Sequence, residues 1–282
     1  MLRNRRVFSL MLDDRRAKLV QSRKRPGRYE LSVDGIPQSV VSMTDPTELA
    51  YDYIRHIARA MDAAVEPGAP LFTVHLGAGA LTLARYVEAT RPGSPQLVVE
   101  FEPALYEAVI TALPLPSGAE VRAVFGDARA IADAELPDAW VDARFTVVDL
   151  WDAAVIRHHV ASQEFYRRVA ARSAADGVVA VNLLDGHPFE YSRRQAATLA
   201  SVFAHVAVVL DAEPNDDEGP LGNVVVFASD EPLDIVTSPD LLGTPRPHLL
   251  HGDSLTSWID GARIMTDADG TDSPDPDDPI WD

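Results

Sequence analysis

The sequence predicts an α/β protein, a doubly wound sheet preceded by a small antiparallel one. From Pro70 onward, near-continuous apolar runs alternate with stretches of helical period, the pattern of a parallel sheet covered on both faces. Before it, residues 17–43 show period two, with turn pairs at Pro26-Gly27 and Asp34-Gly35. Between them, VHLGAGALTLARYVE and then LVVEFEP give strand, glycine turn, helix, strand and acid in an order more specific than any lone GxG.

Residues 1–45 are expected to form a basic arm and a small sheet of two or three strands, too small to stand alone. Thr44 or Asp45, followed by Pro46, is expected to cap a helix reaching about residue 64, ended by EPGAP. In residues 46–237, a nucleoside-binding α/β domain, the strands are LFTVHL, QLVVEF, EVRAVF, RFTVVDL and GVVAVNL. Helices are expected near 80–90, 103–112, 162–174 and 190–203. HVAVVLDA and NVVVFAS, joined by the turn-rich EPNDDEGPLG, read as an antiparallel hairpin at the sheet edge. This completes a Rossmann-like, seven-stranded sheet of the type found in S-adenosylmethionine-dependent methyltransferases. Residues 238–282 form a Pro- and Asp-rich extension whose end, DADGTDSPDPDDP, is expected to be disordered.

Composition narrows the function. With 282 residues and 46% hydrophobic residues the chain can bury a substantial core. It has no cysteine, which excludes disulfides and thiolate metal sites and fits a cytoplasmic location. VFSLML is too short for a signal peptide, and no apolar run approaches the roughly 18 residues of a membrane helix. A formal charge of −18 argues against nucleic acid as a partner and suits a cationic substrate. The charge is uneven: residues 1–30 hold ten Lys or Arg against three acids, whereas residues 266–282 hold seven Asp and no base. Both ends are expected to be solvated.

In doubly wound sheets, ligands sit beyond the carboxyl ends of the strands. The first strand ends in Gly77 and Gly79, which let backbone approach a ligand, before a helix that offers unpaired N–H groups. The second ends in Glu100 and Glu102. Glu100 is placed to accept from both hydroxyls of a ribose, and Glu102, before Pro103, is equally a ligand or a helix cap. GDAR brings Asp127, beside a base or capping the following helix. VVDLWD brings Asp149 and Asp152 on a loop, with Trp151 between them lining a pocket or packing on the loop. His158 and His159 are adjacent in sequence and so point apart, and no metal site is expected. His75, inside a strand, reads as a buried, hydrogen-bonded residue.

DGIPQ, DPTELAYDY, HLGAGALTL, VVEFEP, GDAR, VVDLWD, QEFYRRVAARSAADGVVAVNL and GPLGNVVVFAS fall in the order found in spermidine synthases. The chain resembles that family over about residues 30–230. The resemblance implies aminopropyl transfer from decarboxylated S-adenosylmethionine to a di- or polyamine such as putrescine, without a metal. It implies a homo-oligomer, dimer or tetramer, built through the amino-terminal sheet. By the same resemblance Glu100 holds the ribose, Asp127 neighbours the adenine, Gln38 touches the nucleoside and Asp149 helps deprotonate the attacking amine. Asp152 and Tyr51 or Tyr53 would contact the amine. The chain departs from the family at Ala80, where an Asp usually follows the glycines, at Ala153 in place of proline, and at Gly219, where a tyrosine is common. These departures keep two alternatives open: an S-adenosylmethionine-dependent methyltransferase, and a non-catalytic homologue that binds nucleoside or polyamine.

Overall fold

The computed structural model describes residues 5–134, 140–152, 154–211, 214 and 221–275. Ala153, Gly219 and most of the EPNDDEGPLG link lie outside the described residues.

The chain opens with a four-stranded antiparallel sheet in sequence order: β1 (Arg5–Leu12), β2 (Arg15–Gln21), β3 (Arg28–Val33) and β4 (Ile36–Ser42). The expected basic arm is therefore in large part a strand, hydrogen-bonded along β2 from Arg5 to Leu12. Alternation buries Leu12, Leu19, Leu31, Val33 and Val41 on one face, against Ala80, Leu105, Val109 and Leu113 of the larger domain. Full burial of such a side chain contributes roughly 1.5–3 kcal/mol, which anchors a sheet too small to be stable alone. This packing lays β4 across the glycine turn.

The large sheet contains β5 (Thr73–Leu76), β6 (Gln96–Glu100), β7 (Val121–Phe125), β8 (Ala143–Val148), β9 (Ser173–Asp185), β10 (His205–Leu210), β11 (Gly222–Ser229) and β12 (His248–His251). Its order is β12-β10-β11-β9-β8-β5-β6-β7, parallel from β9 to β7 and antiparallel in the remaining pairs. The expected doubly wound class holds, with an eighth strand at the edge: HLLH is short and follows a Pro-rich stretch, so its period carries little signal. The helices are α1 (Asp52–Ala64), α2 (Thr82–Thr90), α3 (Pro103–Ala112), α4 (Ala128–Asp133), α5 (Gln163–Ala170), α6 (Glu190–Ala200), α7 (Asp234–Thr237) and α8 (Gly252–Trp258). Strand alternation divides the core: Val179, Val181 and Leu183 pack under α5 and α6, while Ala180, Phe145 and Val147 pack under α1 and α2.

Three boundaries differ from the sequence expectation. Helix α1 begins at Asp52, because Asp45 closes a local turn instead, accepting from the Thr47 amide at 3.0 Å and its hydroxyl at 2.6 Å. Helix α5 ends at Ala170, with Ser162 as its cap, and the following residues open the long strand β9. The acidic end is ordered through residue 275. Met265 is fully buried, Asp267 pairs with Arg129 at 2.6 Å, and Ser273 donates its amide to the Ile156 carbonyl at 2.9 Å. Arg129, which donates to Asp267, lies 138 residues before it, so composition alone reads the segment as solvated. Residues 276–282 lie outside the described residues. Among the described residues no helix is long and apolar enough to cross a membrane.

Candidate active site

A cavity of about 640 Å³ opens over the carboxyl ends of β5, β6, β7 and β8, under the edge of the small sheet. Gln38, Tyr51, Gly77, Gly79, Glu100, Asp127, Asp149, Trp151 and Asp152 all line it, so the structure brings every sequence-derived candidate to one place.

The glycine turn is shaped by its protein neighbours. Gly77 has φ +93°, and a Cβ there would stand 2.2 Å from the Asp149 carbonyl oxygen; Gly79 has φ +50°, and its Cβ would meet Ser39 Oγ at 2.4 Å. At Gly77 only glycine tolerates both the dihedral and the backbone approach, whereas at Gly79 a Cβ would have to displace the Ser39 hydroxyl. Three N–H groups of the turn ahead of α2 have partners: Ala78 donates to Glu100 at 3.0 Å, Ala80 to Ser39 Oγ at 3.1 Å, and Leu81 to the Ala78 carbonyl at 2.8 Å. Strand β4 reaches this turn through tertiary packing, which local sequence does not reveal.

Glu100 accepts one backbone N–H on each oxygen, from Ala78 at 3.0 Å and Glu102 at 2.8 Å. A carboxylate has about four acceptor positions, so capacity remains for a diol. Burial raises its pKa, opposed by those two amides and that of Phe101 and reinforced by the neighbouring Glu102 charge. Asp127 does two jobs already: it caps α4 through the Ala130 amide at 2.8 Å and accepts from His159 Nε2 at 3.0 Å. Burial works to raise its pKa, but the His159 and Ala130 contacts outweigh this and hold it below the ordinary value.

Asp149 follows β8 and is surrounded by neutral donors. Trp151 Nε1 donates at 2.7 Å and Asn182 Nδ2 at 2.8 Å, and the Tyr53 hydroxyl is also hydrogen-bonded to it. Asn223 extends the chain by donating to Asn182 Oδ1 at 3.1 Å. Burial raises the Asp149 pKa against these three donors, and it raises Tyr53 well above its ordinary value. Of the two tyrosines left open by the sequence, Tyr53 reaches Asp149, and Tyr51 stacks on Tyr53 with centroids 5.9 Å apart.

Asp152 lines the cavity too, but it is paired with two arginines. Arg15 Nη1 donates to it at 2.8 Å, and Arg157 donates through Nε at 2.9 Å and Nη2 at 2.6 Å. Arg15 also reaches Glu102 at 3.2 Å, so Glu102, although it stands at the N-cap of α3, makes no side-chain cap. Sequence reasoning passed over Asn182, Asn223, Arg15 and Arg157. An Asn inside the apolar run VVAVNLL is a readable anomaly; Arg15, among ten basic residues in the first thirty, is not. His75 is buried and bonded to Gln96 at 2.9 Å, with burial lowering its pKa to about 4. Among the described residues no cluster of three or more His, Cys, Asp or Glu is arranged to hold a metal ion.

No protein-family model matches the sequence, and no curated protein matches it. Solved structures do. A probable spermidine synthase from Corynebacterium glutamicum ATCC 13032 superimposes with TM-score 0.79 at 24% identity, covering 92% of this chain and 96% of that one. The spermidine synthase of Thermotoga maritima gives TM-score 0.56 at 16% identity, over 83% of this chain and 75% of that one. A spermidine synthase in complex with the transition state analogue AdoDATO gives 0.55 at 16% identity, covering 83% and 74%. Human methyltransferase-like protein 13, in complex with SAH, gives 0.53 at 17% identity, covering 77% of this chain and 96% of that one. The chain therefore has a spermidine-synthase-like fold, and a methyltransferase-like protein is among its fold neighbours.

Proposed function

We propose that this chain is a spermidine-synthase-like transferase. It would move an aminopropyl group from decarboxylated S-adenosylmethionine to an amine, with Asp149 receiving the amine. The observation that carries this reading is the Asp149 carboxylate in the cavity wall, held by Tyr53, Trp151 and Asn182. Glu100, with acceptor capacity left, would take the ribose hydroxyls, and Asp127 would lie at the base. Similar folds hold SAH and AdoDATO, which supports an S-adenosyl-type ligand.

The chemistry follows from the residues. A primary amine has an unperturbed pKa near 10 and must lose a proton before it attacks. Its lone pair forms the bond to the carbon beside the sulfonium, the carbon–sulfur bond breaks, and its electron pair leaves on a neutral thioether. The proton passes to Asp149, directly or through water. Three fixed donors hold this carboxylate in one orientation, so the protein's contribution is alignment together with the proton acceptor. Homo-oligomerisation through the small sheet belongs to the same proposal.

Incubation of the purified protein with decarboxylated S-adenosylmethionine and a panel of amines tests this reading by mass spectrometry. Methylthioadenosine and an aminopropylated amine in equal amounts are expected. Nucleoside binding without product from any amine would remove the activity and leave a binding protein. A second reading, methyl transfer from S-adenosylmethionine, is favoured by one observation. Ala80, where an acid would hold the decarboxylated donor's amine, sits against Ser39 instead. Calorimetry with both donors separates the two: tighter binding of the donor that keeps its carboxylate would favour methyl transfer.

A further inference from the structure

We infer that the amine accepted here carries a single ammonium group, a monoamine and not a diamine, because among the described residues Arg15 and Arg157 occupy Asp152, the other carboxylate of the loop that carries Asp149. This rests on the transferase reading above. A diamine brings two cations into the cavity, and each requires an anionic partner once water is displaced. The loop after β8 offers two carboxylates three residues apart, Asp149 and Asp152, and their surroundings are opposite. Asp149 is bonded to neutral donors, and none of these contacts sets a positive charge against it. Asp152 takes three N–H donors from two guanidinium groups, which leaves about one of its four acceptor positions. A second ammonium would have to approach that carboxylate beside two fixed positive charges, the kind of repulsive element that sets specificity.

The arginines are held from both sides, which sets this pair apart from a casual surface contact. Arg15 bridges Asp152 to Glu102, across the ends of β8 and β6. Arg157 is gripped by Asp272 at 2.9 Å, and Asp272 also accepts from the His158 amide at 2.8 Å. Ser273 locks the same loop through Ile156, accepting its amide at 2.8 Å on Oγ and donating its own amide to the Ile156 carbonyl. The segment that the sequence reads as a solvated acidic tail thus fixes Arg157 onto Asp152. The wall also carries Glu100, Glu102 and Asp127, engaged by backbone amides, by Arg15 and by His159 respectively, and Ile36, Tyr51, Ile54, Leu150 and Leu184 supply apolar surface that suits an uncharged body behind the amine.

The test is calorimetric titration of butylamine and of 1,4-diaminobutane, equal in carbon chain, into the full-length protein with and without saturating methylthioadenosine. Butylamine is expected to bind at least as tightly as the diamine. The diamine-to-butylamine affinity ratio is expected to rise about tenfold or more in Arg157→Gln and further in Arg15→Gln/Arg157→Gln, which free Asp152. Tighter binding of the diamine by the parent protein, a ratio unchanged in both variants, or no binding of either amine would overturn the inference. The half-exposed Arg157 makes the single variant the safer one to fold. Binding of methylthioadenosine alone reads the nucleoside site separately, so failure of the transferase proposal is distinguishable from failure of the monoamine inference.

Discussion

Asp149 and Asp152 stand three residues apart, line the same cavity and meet different chemistry. Asp149 is enclosed by neutral donors, and burial raises its pKa; Asp152 is half-exposed and enclosed by two arginines. A carboxylate among neutral hydrogen bonds keeps its affinity for a proton and a cation. One paired with guanidinium groups has spent both. The difference teaches that an acid's role in this site is set by what arrives from elsewhere in the chain. Asn182 from β9 and Tyr53 from α1 preserve one aspartate; Arg15 from the small sheet consumes the other.

The sharpest way to break this comparison is Asp149→Asn. On the transferase proposal, kcat is expected to fall about 10²–10⁴-fold, the range for loss of a positioned base, with nucleoside affinity largely kept. Unchanged turnover would end the proposed role. Because the folded pKa of Asp149 lies above its unfolded value, its ionisation opposes folding: stability is greatest below the unfolded value and declines as pH rises through the folded one. The Asn variant is therefore expected to melt no lower than the parent at pH 7. In the parent, the acidic limb of kcat/KM is expected above the ordinary carboxylate range, since the base must be ionised.

Gly77→Ala probes the backbone beneath that acid. A Cβ 2.2 Å from the Asp149 carbonyl at φ +93° is expected to cost about 2–5 kcal/mol, readable in urea unfolding. Glu100→Gln should weaken nucleoside binding about 10–100-fold by calorimetry, the worth of hydrogen bonds to a charged group, and should leave the amine preference alone. The smallest effect belongs to the acidic segment around Asp267. The Arg129 contact lowers the Asp267 pKa to about 2, so its stabilisation is full above the unfolded value and is lost as pH falls toward 2. Allowing for solvent screening, Asp267→Asn should cost about 1 kcal/mol at neutral pH, a melting-point drop of about 2–4 °C that disappears in acid.

What the sequence determined by itself follows from short-range physics. The alternation of apolar runs with helical stretches after Pro70 indicated the doubly wound sheet, and two glycines between a strand and a helix marked the turn at Gly77 and Gly79. Acids at strand ends named Glu100, Asp127, Asp149 and Asp152 as lining residues, because the carboxyl edge of such a sheet gathers whatever ends its strands. Tertiary structure alone decided which of those acids is paired with arginine and which is not. Arg15 lies 137 residues before Asp152, Asp272 lies 115 after Arg157, and Ser39 lies 41 before Ala80. No periodicity or turn rule acts over such separations. An arginine reads as solvated until packing brings a carboxylate within about 3 Å, where its two-pronged geometry and the lower local dielectric make the pairing specific.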